Sequence, residues 1–248
     1  MTALLSCSDL TRRFGGLTAV DRVTLDFAVG EVHAVIGTNG AGKSTLINML
    51  SGEMPASSGR IVLGGQDITD WPQPRRARAG IGRSYQRTTI FPEFTVLENC
   101  RLSAQAAHAR PWALWESATG CATSGRIAGD ALAAAGLADT AGQSAGALSH
   151  GGKRQLEIAM CLATEPRVLL LDEPLAGMGS EETERMLALL ESLKPGHAIL
   201  LVEHDMDAVF RIADRITVMV NGEVIATDVP QAIRANPQVQ VAYLGDHG

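Results

Sequence analysis

The sequence predicts an α/β fold, a largely parallel sheet with helices between its strands, and two observations carry that prediction. The first is Gly37-Thr38-Asn39-Gly40-Ala41-Gly42-Lys43-Ser44-Thr45, directly behind the apolar run Val32-His33-Ala34-Val35-Ile36. A buried strand feeds a glycine-rich turn of the form G-x-x-x-x-G-K-[ST]. The apolar positions Leu46, Ile47, Met49 and Leu50 then start a helix. Glycines at these places let backbone N–H groups close around phosphate oxygens while the positive end of the helix points at the anion. Lys43 has the reach for the β- and γ-phosphates of a nucleotide, and the Ser44 hydroxyl suits Mg²⁺. The second observation is that further strand-length apolar runs, at 168–171 and 198–202, alternate with stretches of helical periodicity, as a parallel sheet requires.

Taken in order, residues 4–10 and 23–27 read as strands around a turn at Gly15-Gly16, and 32–36 as the buried strand before the phosphate loop. Residues 44–50 form a helix, and 59–63 a strand ended by Gly64-Gly65. A basic, proline-bearing stretch follows from 71 to 83, with 81–86 short and extended. Residues 95–107 have helical spacing through Val96, Leu97, Cys100 and Leu102. Between 108 and 147 the composition shifts to Ala, Gly, Ser and Thr, with helices expected at 111–118 and 126–135 and a loose connection at 119–125. Order returns at Leu148. A helix is expected at 152–163 (Leu156, Ile158, Ala159, Leu162), then the strand 168–171 and the amphipathic helix 181–193. The strand 198–202 and the helix 206–212 follow, and 216–220 pairs with 223–226 through Asn221-Gly222, a strong hairpin signal.

Composition narrows the function classes. A chain of 248 residues with 46% apolar content supports one large domain, or a core with a subdomain, and 4% aromatics means that aliphatic packing dominates. A net charge of −6 and a pI near 5.5 argue against a nucleic-acid surface. No apolar run approaches the ~20 residues of a membrane-spanning helix, so the chain is expected to be soluble alone while able to sit on a membrane partner. Cys7, Cys100, Cys121 and Cys161 lack metal spacing and read as reduced, buried thiols of a cytosolic protein.

The run Val168-Leu169-Leu170-Leu171 delivers Asp172 and Glu173 to the carboxyl end of a buried strand, where ligands sit in such folds. Asp172 suits a Mg²⁺ role, and Glu173 a general base that polarises water. Leu148-Ser149-His150-Gly151-Gly152-Lys153-Arg154-Gln155 precedes the helix leading into that strand. It resembles the L-S-G-G-Q signature of ATP-binding-cassette (ABC) ATPases, and the other family motifs appear in order along nearly the whole chain. Phe14 is similar to the aromatic that stacks on adenine, Gln86 to the Q-loop glutamine, 177–181 to the D-loop and His204 to the switch histidine. The segment from Gly82 to Asn99, the run Leu171-Asp172-Glu173-Pro174-Leu175-Ala176-Gly177-Met178 and the ending Val241-Ala242-Tyr243-Leu244-Gly245 resemble the ATPases of hydrophobic (branched-chain) amino-acid importers. Urea and short-chain amide importers share much of this wording, and a single-cassette regulatory ATPase is the rival from another class.

The resemblance implies a P-loop NTPase core with an antiparallel β-subdomain, together about 1–91 and 159–248, and an inserted helical subdomain at about 92–158. It implies ATP held by Phe14, Gly37, Asn39, Gly40, Gly42, Lys43, Ser44, Thr45 and Gln86, and in trans by Ser149 and Gly151. It implies Mg²⁺ at Ser44, Gln86 and Asp172, and catalysis by Glu173 and His204. The implied partners are membrane permease subunits, a second ABC ATPase subunit (identical or paralogous) and, indirectly, a periplasmic binding protein, with the chain peripheral on the cytoplasmic face of the inner membrane and no nucleic acid bound. Phe91, Pro92 and Phe94 are expected to belong in part to a permease-docking surface, the other reading being a place inside the helical subdomain. Against the signature, His150 replaces the usual Gly and Gly152 the usual Gln. His150 is expected at the periphery of an interface, without catalytic duty.

Overall fold

The computed structural model describes residues 3–84, 89–108 and 122–244. Two strands, β1 (Ala3–Phe14) and β2 (Leu17–Ala28), form an antiparallel hairpin around the Gly15-Gly16 turn. β3 (Glu31–Gly37) runs into the phosphate loop, and α1 (Lys43–Ser51) follows. β4 (Ser58–Leu63) and β5 (Gln66–Asp67) complete an antiparallel sheet of order β2-β1-β4-β5. α2 (Gln73–Arg78) and β6 (Ile81–Arg83) lead to the helices α3 (Val96–His108), α4 (Ala122–Ala134) and α5 (His150–Leu162). The chain then alternates through β7 (Val168–Asp172), α6 (Ser180–Leu193), β8 (Ala198–Val202) and α7 (Met206–Ile212). It closes with the hairpin β9 (Arg215–Val220) and β10 (Glu223–Asp228), then α8 (Pro230–Ala235) and α9 (Pro237–Leu244). The second sheet has the order β10-β9-β3-β8-β7-β6, parallel except for its edge strand β10.

The central strands are buried on both faces, which explains their unbroken apolar runs. Alternate residues separate cleanly. Leu169, Leu171, Ile199 and Leu201 pack towards α3, α4, α5 and α6, whereas Val168, Leu170, Ala198, Leu200 and Val202 pack towards β1, β2 and α1. A third cluster, Ala34, Ile36, Val209, Ile216, Val218, Ile233 and Val239, holds α7, α8 and α9. Among the described residues no helix is long and apolar enough to cross a membrane. Cys7, Cys100 and Cys161 are free and buried, and burial pushes each thiol up to about 12; Cys121 lies outside the described residues.

Several boundaries differ from the sequence expectation. The basic stretch after Trp71 contains α2, entered through Pro72 and Pro74, which suit a first helical turn. α4 begins at Ala122, inside the stretch expected to be loose, because Ser124, Ile127 and Ala128 already face the core. α5 starts two residues before Gly152, since Ser149 is its N-cap and accepts a hydrogen bond from the Gly152 N–H at 3.1 Å. The helix expected at 111–118 lies outside the described residues.

One buried group makes stability pH-dependent. His33 on β3 is fully buried, its Nδ1 is 3.2 Å from the Asp26 carbonyl oxygen and its Nε2 is 2.7 Å from Thr217 Oγ1. A carbonyl only accepts, so Nδ1 carries the proton and Nε2 accepts from the threonine hydroxyl. Burial, with Arg215 nearby, pushes the imidazole pKa from 6.5 down to about 4. The unfolded chain therefore binds a proton that the folded chain refuses. The stabilisation is complete above pH 6.5 and is lost as pH falls towards 4, about 3 kcal/mol in all. Urea unfolding between pH 7.5 and 4.5 is expected to show this loss in the wild type and a flatter profile in His33→Gln. Parallel profiles would place the acid sensitivity elsewhere.

Candidate active site

The phosphate loop takes its shape from backbone that only glycine tolerates well. Gly40 and Gly42 have φ of 80° and 98°. A Cβ on Gly42 would collide with the Ala19 carbonyl oxygen of β2, and one on Gly37 with the Met219 carbonyl oxygen of β9. The loop is thus wedged between the first hairpin and the last. The Asn221-Gly222 turn supports it from below: the Gly222 N–H donates to the Ala41 carbonyl at 3.1 Å, and the Asp21 N–H donates to the Gly222 carbonyl at 2.8 Å.

Lys43 heads α1 and is buried. Its Nζ donates to the Gly37 and Thr38 carbonyls at 2.7 and 2.9 Å, which curls the ammonium back over the loop. Burial lowers its pKa, while the charges of Glu173 and Asp172 hold it up, so the three groups converge at the carboxyl ends of β3 and β7. Ser44, Asn39 and Gly40 are exposed, and Thr45 is half-buried behind them.

Asp172 ends β7 and is 2% exposed. Its backbone N–H donates to Ser84 Oγ at 3.3 Å, and its Oδ1 is buried without a hydrogen-bond partner among the described residues. Burial raises its pKa, and Arg83, Lys43 and His204 pull it back. A hard, unpartnered carboxylate oxygen is donor chemistry that suits Mg²⁺, a cation that keeps waters and phosphate oxygens as its other ligands. Among the described residues no three His, Cys, Asp or Glu side chains gather into a closed metal cage.

Glu173 has φ of +52°, a left-handed conformation that is rare outside glycine, and its N–H donates to the Val202 carbonyl at 2.9 Å. Such backbone is held by its surroundings and clusters at functional sites. Its Oε1 lies 2.7 Å from Nε2 of His204, which follows β8. Two adjacent parallel strands thus deliver a carboxylate and an imidazole to one point, next to Asp172 and Lys43.

Ser149 and Gly151 belong to a second cluster. Ser149 Oγ and the Gly151 N–H both donate to Glu182 Oε1, at 2.9 and 3.1 Å, and the serine bond holds the Glu182 carboxyl below its usual range. A Cβ on Gly151 would overlap the Glu182 carboxyl and push that side chain aside. His150 Nε2 lies 3.1 Å from the Ala176 carbonyl oxygen and its ring packs on Gly177, so this departure from the usual signature ties α5 to the loop behind Glu173. Phe14 ends β1, 42% exposed, with the Arg12 guanidinium 4.7 Å from its ring centre. Gln86 lies outside the described residues.

Two residues beside these clusters are not singled out by the sequence motifs: Glu203, which is buried beside this site, and Glu182. Glu203 has a readable signal: an apolar run ending in three consecutive polar residues, Glu203-His204-Asp205, of which the family resemblance accounts only for His204. A cavity of about 190 Å³ opens elsewhere, between Arg83, Ser84 and Thr89 on one side and Met160, Cys161 and Thr164 on the other.

The sequence profile described as ABC transporter matches residues 20–176, and that of the branched-chain amino acid ATP-binding cassette transporter matches residues 223–248. The chain is 40% identical over 251 residues to the high-affinity branched-chain amino acid transport ATP-binding protein BraF of Pseudomonas aeruginosa, covering 98% of each chain. It is 40% identical over 252 residues to LivG of Escherichia coli K12, which carries the same description, again covering 98% of each. Among solved structures, the ADP conformation of MJ1267, an ATP-binding cassette of an ABC transporter, superposes with a TM-score of 0.86 at 29% identity, over 99% of this chain and 100% of that one.

Proposed function

The chain belongs to the ABC transporter ATP-binding family, and on that premise we propose that it powers an importer of branched-chain, or closely similar hydrophobic, amino acids. Its enzymatic activity is ATP hydrolysis coupled to transport. The cargo reading is supported by the full-length relatives and by the C-terminal match, which falls on β10, α8 and α9, outside the hydrolytic site. The single observation that carries hydrolysis is the Glu173–His204 hydrogen bond of 2.7 Å beside Asp172 and the Lys43 loop. Reconstitution with its permease in ATP-loaded vesicles tests the whole reading. Uptake of leucine, isoleucine or valine that Lys43→Ala abolishes supports it, and ATP-driven uptake of urea or a short amide instead would replace the cargo.

In this reading Gly37, Asn39, Gly40, Gly42, Lys43, Ser44 and Thr45 cradle the ATP phosphates, and Phe14 stacks on the adenine. Asp172 and Ser44, with Gln86, would hold Mg²⁺, which would supply charge neutralisation for the phosphates. Glu173 takes the proton of the attacking water, and His204 orients that carboxylate and the γ-phosphate. Ser149 and Gly151 offer their donors to the ATP of a second cassette. Residues 92–158 act as the helical subdomain that carries these donors. The chain then sits on the cytoplasmic face of the inner membrane, bound to permease subunits that a periplasmic binding protein loads.

Two expectations follow. Lys43→Ala removes the one side-chain charge aimed at the phosphates, and charge-assisted bonds of about 1.5–3 kcal/mol set a loss of roughly 10- to 100-fold in ATP affinity. An unchanged titration would remove Lys43 from the phosphate site.

The second concerns permease docking. Phe91 and Phe94 are 51% and 42% exposed, with stacked rings 5.4 Å apart. The buried Asn99 pins their backbone: its Oδ1 accepts from the Phe91 N–H at 2.7 Å, and its Nδ2 donates to the Phe91 and Thr95 carbonyls. Rings that project from a fixed backbone suit docking rather than core packing. Phe91→Ala and Phe94→Ala are expected to cost about 2 kcal/mol or more of permease binding, with fold stability within about 0.5 kcal/mol. A large fall in melting temperature with binding intact would return the rings to the core.

A further inference from the structure

We propose that Glu203 is a positioning residue for hydrolysis: its carboxylate clamps the loop behind β7 to the loop behind β8, and thereby sets the Glu173–His204 hydrogen bond. The inference rests on the reading of Glu173 and His204 as the hydrolytic pair.

Glu203 is 3% exposed at the end of β8. Its two oxygens serve different segments: Oε1 accepts from the Leu175 N–H at 2.7 Å, and Oε2 from the His204 N–H at 3.0 Å. One side chain thus grips the backbone two residues beyond Glu173 and the backbone of His204 itself. Placing a carboxylate there is costly. Burial works against its charge, the nearby Glu173 adds repulsion, and only the backbone N–H groups of Leu175, His204 and Asp205 compensate. An apolar side chain would fill the same space without that penalty. What only a carboxylate supplies is two acceptors at a fixed separation, one for each loop. The need is local, because Glu173 has left-handed backbone and its chain direction must be imposed by its neighbours. Its own N–H holds Val202 on β8, so Glu173 is tied to β8 before its side chain and, through Glu203 and Leu175, behind it.

The test uses the full chain, measuring kcat, KM and the affinity for a non-hydrolysable ATP analogue. Glu203→Gln keeps the shape but turns one acceptor into a donor facing an N–H, so one loop loses its anchor. The expected result is a kcat at least tenfold lower with analogue affinity within twofold of wild type. Combined with His204→Ala, Glu203→Gln should add less than a twofold further loss, because both act through one contact. A stability defect alone would not give that overlap. Should Glu203→Gln fail to fold, Glu203→Met, apolar and of similar length, takes its place with the same expectations. A kcat within twofold of wild type, or losses that multiply in the double variant, overturns the proposal. Glu173→Gln measured alongside separates the two levels. If it is inactive while Glu203→Gln is fully active, only the positioning role falls. If Glu173→Gln turns over like wild type, the hydrolytic pair itself is wrong.

Discussion

Glu173→Gln is expected to lower steady-state ATP turnover by about 10²–10⁴-fold while ATP still binds. The substitution is close to isosteric. The amide oxygen still accepts from His204 Nε2, and the backbone bond from the Glu173 N–H to Val202 is untouched, so the left-handed turn and the 2.7 Å contact geometry survive. What disappears is the ability to take a proton from water as it attacks phosphorus. That isolates a transition-state contribution of roughly 3–5 kcal/mol from any change in ground-state binding. The nucleotide contacts proposed above, on Lys43 and the glycine loop, lie on other residues, so ATP affinity should stay within a few-fold of wild type. Slow hydrolysis has a visible consequence. If Ser149 and Gly151 of one subunit bind the ATP of another, the variant should accumulate as an ATP-dependent dimer by light scattering, whereas the wild type passes through it. Turnover near wild type would show that the base is elsewhere, and a slow enzyme that never dimerises would count against sharing of the nucleotide between subunits.

The parts of this site that could be read in the sequence are those with a local physical signature. The glycine loop announces itself because glycine is required where a Cβ would strike Ala19 or Met219, and Asp172-Glu173 because two carboxylates end an unbroken apolar strand. The central strands β3, β7 and β8 were legible to within one residue at each end for the same reason: burial on both faces leaves an unbroken apolar run. What stayed hidden depends on partners far along the chain. Glu203 is meaningful only once β7 and β8 lie side by side, which brings Leu175 to it across 28 residues. The contact between Glu182 and the signature joins α6 to α5, and neither segment hints at the other. Short helices were missed where composition misleads: α2 is rich in Arg and Pro, and α8 and α9 each begin at a proline that reads as a breaker before the fold is known.

Arg76 is the sharpest instance of a residue whose weight the sequence conceals, and its replacement should be among the most damaging in the molecule. In a basic stretch it reads as solvated, yet it is 1% exposed. Its guanidinium donates to four backbone carbonyls: Nη1 to Met49 at 2.6 Å and Leu50 at 2.9 Å, Nε to Trp71 at 3.0 Å and Nη2 to Thr69 at 2.8 Å. Met49 and Leu50 are in the last turn of α1, so a buried cation caps the negative end of the helix whose positive end faces the phosphate loop. Gly52 is shaped for it: φ is +82°, and a Cβ there would lie 2.9 Å from Arg76 Nε. Arg76→Met fills much of the volume but takes this donor from the buried Leu50 carbonyl and the part-buried Thr69 and Trp71 carbonyls, while Met49 keeps the Gly52 N–H. The expected loss of fold stability is about 2–4 kcal/mol, from acceptors left without a donor at about 1–3 kcal/mol each and offset in part by removal of a buried charge. Arg76→Lys keeps the charge but lacks the planar fork needed to reach four carbonyls at once, so it should recover only part of the loss. Urea midpoints measure both. Because the lesion is at the far end of α1 from the loop, saturating nucleotide should restore part of the stability by binding only the folded form. A loss below about 1 kcal/mol in Arg76→Met would mean that these carbonyls find water or other donors when the guanidinium is gone, and that α1 holds its place through its apolar face alone.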